Sequence, residues 1–79
     1  MLENLKEIKE IEKILIDVLN IYSPDNIDIV KDELTETICI MYHSDNNSFL
    51  INDTGYDENQ VQKSKLEELA ILYNVGLVW

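Results

Sequence analysis

From Leu2 to Tyr22 the apolar residues Ile8, Ile11, Leu15, Val18, Leu19 and Tyr22 recur at three- and four-residue spacing, with Lys6, Lys9, Lys13, Asp17 and Asn20 opposite them. That period predicts an amphipathic helix. Glu3 and Glu7 fall where the positive end of its dipole favours acids, by ~0.3–1 kcal/mol each. Ser23-Pro24-Asp25-Asn26 ends it, because Pro24 lacks an N–H and holds Ser23 away from helical backbone.

The period then changes to two. Ile27-Asp28-Ile29-Val30-Lys31 alternates as a short strand, with a turn at Asp32-Glu33-Leu34. Thr37 to His43 is rich in β-branched and aromatic residues and predicts the central strand, with Ile38, Ile40 and Tyr42 on its helix side and Cys39 and Met41 on the other. Ser44-Asp45-Asn46-Asn47 is a polar loop, and Phe49-Leu50-Ile51 returns as a third strand, broken at Asp53-Thr54-Gly55. A second helix is expected from about Asp57 to Asn74, or from nearer Ser64. Asp57 and Gln60 form its capping pair, and Val61, Leu66, Leu69, Leu72 and Tyr73 its inner face. Gly76 fits a helix C-cap before Leu77-Val78-Trp79, a candidate terminal strand. The order predicts one α+β domain over residues 1–79: an α-β-β-β-α antiparallel meander with helices packed on the sheet and a possible short C-terminal strand.

Composition removes several function classes. The single cysteine allows no disulfide within the 79-residue chain, which suits a reducing, cytoplasmic setting. No apolar run approaches the ~18 residues that span a bilayer, and Met1-Leu2-Glu3-Asn4 lacks a signal peptide's basic start, so no membrane association is expected. Cys39 and His43 lie on one strand about 13 Å apart, beyond the reach of a nucleophile–base pair. Zinc wants about four nitrogen or sulfur ligands. The carboxylates around Gly55 lack calcium-loop spacing and are accounted for by a turn and a cap, so neither metal nor cofactor is expected. An enzyme would have to rest on a carboxylate pair such as Asp53 and Asp57. With 16 acids, six lysines, no arginine and a net charge of −10, direct nucleic-acid binding is not expected either. The α-β-β-β-α order is shared with double-stranded RNA-binding domains, but Lys63 and Lys65 are too few cations for that reading.

The charge is uneven. Residues 1–22, 23–36, 37–56 and 57–79 carry −2, −4, −2 and −2, and the densest stretch sets Asp25, Asp28, Asp32, Glu33 and Glu36 against Lys31 alone. Carboxylates along a hairpin can attract a basic groove much as a phosphate backbone does, and these five are the candidate partner-binding residues. The same acids also serve solubility and guard a strand edge. Ile14, Ile16, Ile21, Met41 and Ile71 are apolar residues beyond what a two-layer core needs, and form a candidate apolar interface.

Phe49-Leu50-Ile51-Asn52-Asp53-Thr54-Gly55-Tyr56, followed by Ala70-Ile71-Leu72-Tyr73-Asn74-Val75-Gly76-Leu77, resembles an uncharacterised bacterial and phage domain of unknown function. Its hairpin ends in an Asp-Asp-Gly-Tyr-like turn and its last helix closes on a Tyr-Gly-Val-like cap. The likeness covers about residues 36–79; here the second Asp is Thr54 and the cap reads Asn-Val-Gly. It implies a strand–turn–helix order and a bacterial or mobile-element setting. Together these features lead to the expectation of a non-catalytic inhibitor or regulator of a basic, nucleic-acid-handling protein, of the phage anti-defence or toxin-immunity type. The alternative is a small self-assembling subunit, such as a homodimer, whose charge serves solubility.

Overall fold

The computed structural model describes residues 5–79. Helix α1 runs Leu5–Leu19, so the expected contribution of Leu2 and Glu3 lies outside the described residues. Its 3.6-residue period puts Ile11, Leu15 and Val18 wholly inside, with Ile8, Ile14 and Leu19 packed at the margin. Pro24–Asn26 form one 3-10 turn, begun by the Ser23 hydroxyl accepting the Asp25 N–H at 3.3 Å. Asn26 Nδ2 then donates to the carbonyl of His43 at 2.9 Å, pinning this connection to the sheet before β1 starts.

Strands β1 (Ile27–Asp32), β2 (Thr37–His43) and β3 (Ser48–Asp53) form the expected antiparallel meander. After helix α2 (Lys63–Tyr73), β4 (Gly76–Val78) completes a sheet of order β3-β2-β1-β4. β4 pairs parallel to β1, with Asp28, Ile29 and Val30 opposite Gly76, Leu77 and Val78. The four-stranded sheet is therefore mixed and not purely antiparallel. The reason is the connection: α2 carries the chain back across the sheet, as parallel pairing requires.

One core fills the space between one sheet face and both helices. Ile27, Ile29, Ile38 and Ile40 supply the sheet side; Ile11, Leu15 and Val18 come from α1, and Leu66, Leu69 and Ala70 from α2. Alternation sends Asp28, Val30, Asp32, Cys39, Met41 and His43 to the other face. Among the described residues no charged or polar side chain is buried.

Three local expectations are corrected. The second helix begins at Lys63, beside the later of the two expected starts, Ser64, and not near Asp57. Asp57 and Gln60 do bond reciprocally, but around an isolated turn: Asp57 Oδ1 accepts the N–H groups of Asn59 and Gln60, and Gln60 Oε1 accepts that of Asp57. Val61 follows at once and is buried in the core at 1% exposure, and Gln62 is extended (φ −71°, ψ 135°), so the turn does not run on into α2. Leu72 points outward and Ala70 occupies the inner position. Gly76 is not the cap either: Asn74 adopts the left-handed conformation (φ 59°, ψ 42°), and Val75 N–H reaches the Ala70 carbonyl.

Candidate functional site

The C-terminal end of β1 gathers acid from two separate stretches of chain. Asp32 Oδ1 accepts the Leu34 N–H at 2.9 Å, and its carbonyl accepts the Glu36 N–H at 2.7 Å. These bonds fold residues 33–36 into a tight turn with Glu36 at a φ of 61°. Opposite stands the turn that Asp57 caps. Between the two lies an open cleft of about 390 Å³, lined by Asp32, Glu33, Glu36, Asp57, Glu58 and Asn59 around Lys31. Five carboxylates thus face one ammonium, which is itself engaged by Glu58 at 3.2 Å and lies 5.3 Å from the Trp79 ring centroid.

The five acids singled out from the sequence are therefore divided. Asp32, Glu33 and Glu36 share the cleft. Asp28 is about 13 Å back along the strand, on the sheet face away from the helices, and Asp25 lies further still on the 3-10 turn. Asp28 Oδ2 is 3.5 Å from His43 Nε2, and its carboxylate fills the space beside Gly76. Asp57 and Glu58 were missed because their local signature is that of a cap; only their distance from β1 in three dimensions, not in sequence, brings them into the group.

The candidate apolar residues scatter as well. Ile14 packs against the core margin, Ile16 and Ile21 are exposed on and just after α1, and Met41 is half-buried on the uncovered sheet face beside Leu50. Ile71, 81% exposed, belongs to a different concavity of about 830 Å³ between α2 and β4, with Ala70, Val75, Leu77 and Trp79.

Two tyrosines tie the layers together. Tyr56, in the loop after β3, donates its hydroxyl to Glu10 of α1, and Tyr73 of α2 donates to Glu12 at 2.5 Å. Each hydroxyl's pKa is raised above 10.0, first by that hydrogen bond and then by desolvation and the nearby carboxylate charge. Cys39 is buried, its thiol 3.8 and 3.7 Å from the hydroxyls of Thr35 and Thr37, while His43 faces Asp28. Among the described residues no group of three or more His, Cys, Asp or Glu side chains is arranged to hold a metal. No helix among them is long and apolar enough to cross a membrane.

Fold and site together define a small acidic α+β protein with one helix-covered sheet face and carboxylates concentrated at one sheet end. No family model, curated protein or solved structure matches the chain.

Proposed function

We propose that this protein is a non-catalytic inhibitor or regulator that binds a basic, nucleic-acid-handling protein through the acidic end of its sheet. The observation that carries this reading is the convergence of Asp32, Glu33 and Glu36 with Asp57 and Glu58 around a single lysine. Like charges held close by backbone turns create a local potential stronger than any of them alone, and a basic groove relieves it on binding. The turns on both sides are fixed by Asp32 and Asp57, so little ordering remains to oppose association. The sequence resemblance over residues 36–79 implies a bacterial or mobile-element setting, and the role proposed within it is of the anti-defence or toxin-immunity type, in the cytoplasm.

The test is capture of partners from a bacterial lysate at low salt and at about 0.5 M salt, where screening is severe. Wild-type protein is expected to retain a basic partner at low salt and to release much of it at high salt. The triple variant Asp32→Lys, Glu33→Lys, Glu36→Lys is expected to lose it. Asp17→Lys with Asp45→Lys changes two exposed acids outside the cleft and serves as the control. If the control pair weakens capture as much as the triple reversal, the contact lies elsewhere; if no basic partner is retained at either salt, the reading fails.

A further inference from the structure

Lys31 is the one cation lining the acidic cleft, and three segments of chain meet on it. Strand alternation puts it on the helix side of β1 with Ile27 and Ile29. Its Nζ lies 3.2 Å from Glu58 Oε1, in the turn that Asp57 caps, and 5.3 Å from the ring centroid of Trp79. Trp79 reaches it because the parallel register sets Val30 beside Val78, so the next residue of each strand stands together. The ammonium therefore fills a seat made of one carboxylate and one aromatic ring. That pair recognises a side-chain cation wherever it comes from, the carboxylate by charge-assisted hydrogen bonding and the ring by its negative face.

We propose that Lys31 is an internal competitor at this seat: it occupies the place that an arginine side chain of the basic partner takes, and lowers the affinity of the acidic end until it is displaced. The inference rests on the partner-binding reading above and names how that site is regulated. Three observations support it. Lys31 offsets only one of five carboxylates, so the pull on a basic groove persists while the seat is filled. Its contacts lie at the surface, with side-chain exposures of 29% for Lys31 and 52% for Glu58. Contacts of this kind shift an equilibrium by only about fivefold each, so a competitor can break them. A guanidinium is the better occupant, since it binds a carboxylate through two parallel N–H groups and stacks on an indole, where an ammonium is a point charge. Once displaced, Lys31 keeps its charge hydrated at the end of a flexible stem, so giving up the seat strands no buried charge.

Trp79 is the chain's one tryptophan, so its emission reads the seat directly. Titration with an oligoarginine peptide free of tryptophan, in about 0.1 M salt, tests the proposal. The peptide is expected to change Trp79 emission on binding. Lys31→Gln is expected to tighten binding about fivefold, because apparent affinity scales with the fraction of chains whose seat is free. Lys13→Gln makes the same change of net charge at an exposed site outside the cleft, and is expected to alter binding less than about twofold. Lys31→Arg keeps a competitor in place and is expected to bind no more tightly than wild type. Equal gains from Lys31→Gln and Lys13→Gln would reduce Lys31 to a share of the net charge; they overturn the inference and leave the acidic end as the partner surface. A gain retained by Lys31→Arg overturns it as well, as does a peptide that leaves Trp79 emission unchanged in every variant. Failure of the partner-binding reading shows separately, as lysate capture that survives reversal of Asp32, Glu33 and Glu36.

Discussion

Replacing Gly76 by alanine tests the packing of β4 against β1 at a single atom. A Cβ built there would lie 2.1 Å from Asp28 Oδ1 and 3.2 Å from its Cγ, with the Ile27 carbonyl next at 3.8 Å. The carboxylate, the end of a partly exposed side chain on the sheet face that the helices do not cover, must therefore swing aside and leave His43. Overpacking a core costs about 1–3 kcal/mol; here a partly exposed side-chain end gives way, so the cost is about 1 kcal/mol, and loss of the Asp28–His43 pair adds at most about 1 kcal/mol. Removing Asp28 first removes the obstacle. In an Asp28→Ala background the remaining contact is ordinary, and alanine should stabilise by about 0.4–1 kcal/mol by restricting the unfolded chain. The same substitution thus changes sign with its neighbour, a coupling of roughly 1.5–3 kcal/mol. Urea denaturation of wild type, both single variants and the double variant measures it. Effects that add to within about 0.5 kcal/mol would refute the reasoning.

Leu15, wholly buried in α1, should cost about 2–5 kcal/mol as Leu15→Ala, read from the urea midpoint at constant slope; a loss under about 1 kcal/mol would mean that α1 is not packed as described. Tyr56 and Tyr73 have pKa values raised above 10.0 in the folded chain, so their contribution is fully present below pH 10 and is lost as pH rises through the folded values. The thermal midpoint of wild type should therefore fall on going above pH 10, and Tyr56→Phe with Tyr73→Phe should flatten that fall; an unchanged slope would dismiss the tethers. Asn74→Gly should be tolerated at the left-handed cap, whereas Asn74→Ala should destabilise by about 1 kcal/mol, a contrast that thermal melts resolve.

The elements that depend on periodicity were legible in the sequence. Ile11, Leu15 and Val18 announce α1 because one helix stripe must meet one core, and Thr37–His43 announces β2 through its β-branched and aromatic content. What escaped were features decided by distant contacts. Asp57 and Gln60 make the bonds of a capping box whether or not a helix follows, and here the chain instead buries Val61 and passes through extended Gln62 before α2 starts. Gly76 looked like a cap because glycine usually ends helices; its actual role is set by the side chain of Asp28 on another strand. The acidic site was half legible for the same reason. Glu33 and Glu36 cluster with Asp32 along the chain, but Asp57 and Glu58 join only after β3 has returned beside β2.

The pairing of residue 28 with residue 76 also sets an order of events in time. α1 can close on the meander of β1, β2 and β3 through contacts near in sequence, while β4 can dock only after the whole chain between has been arranged. Contacts that close long loops are costly to form early, so the β1–β4 ladder belongs to the downhill side of the folding barrier. Substitutions in β4 should then leave the refolding rate nearly unchanged and appear as faster unfolding. Until β4 arrives, β1 is an unpaired edge of Ile27, Ile29 and Val30, and that interval is when a newly made chain is most exposed to pairing with the wrong neighbour.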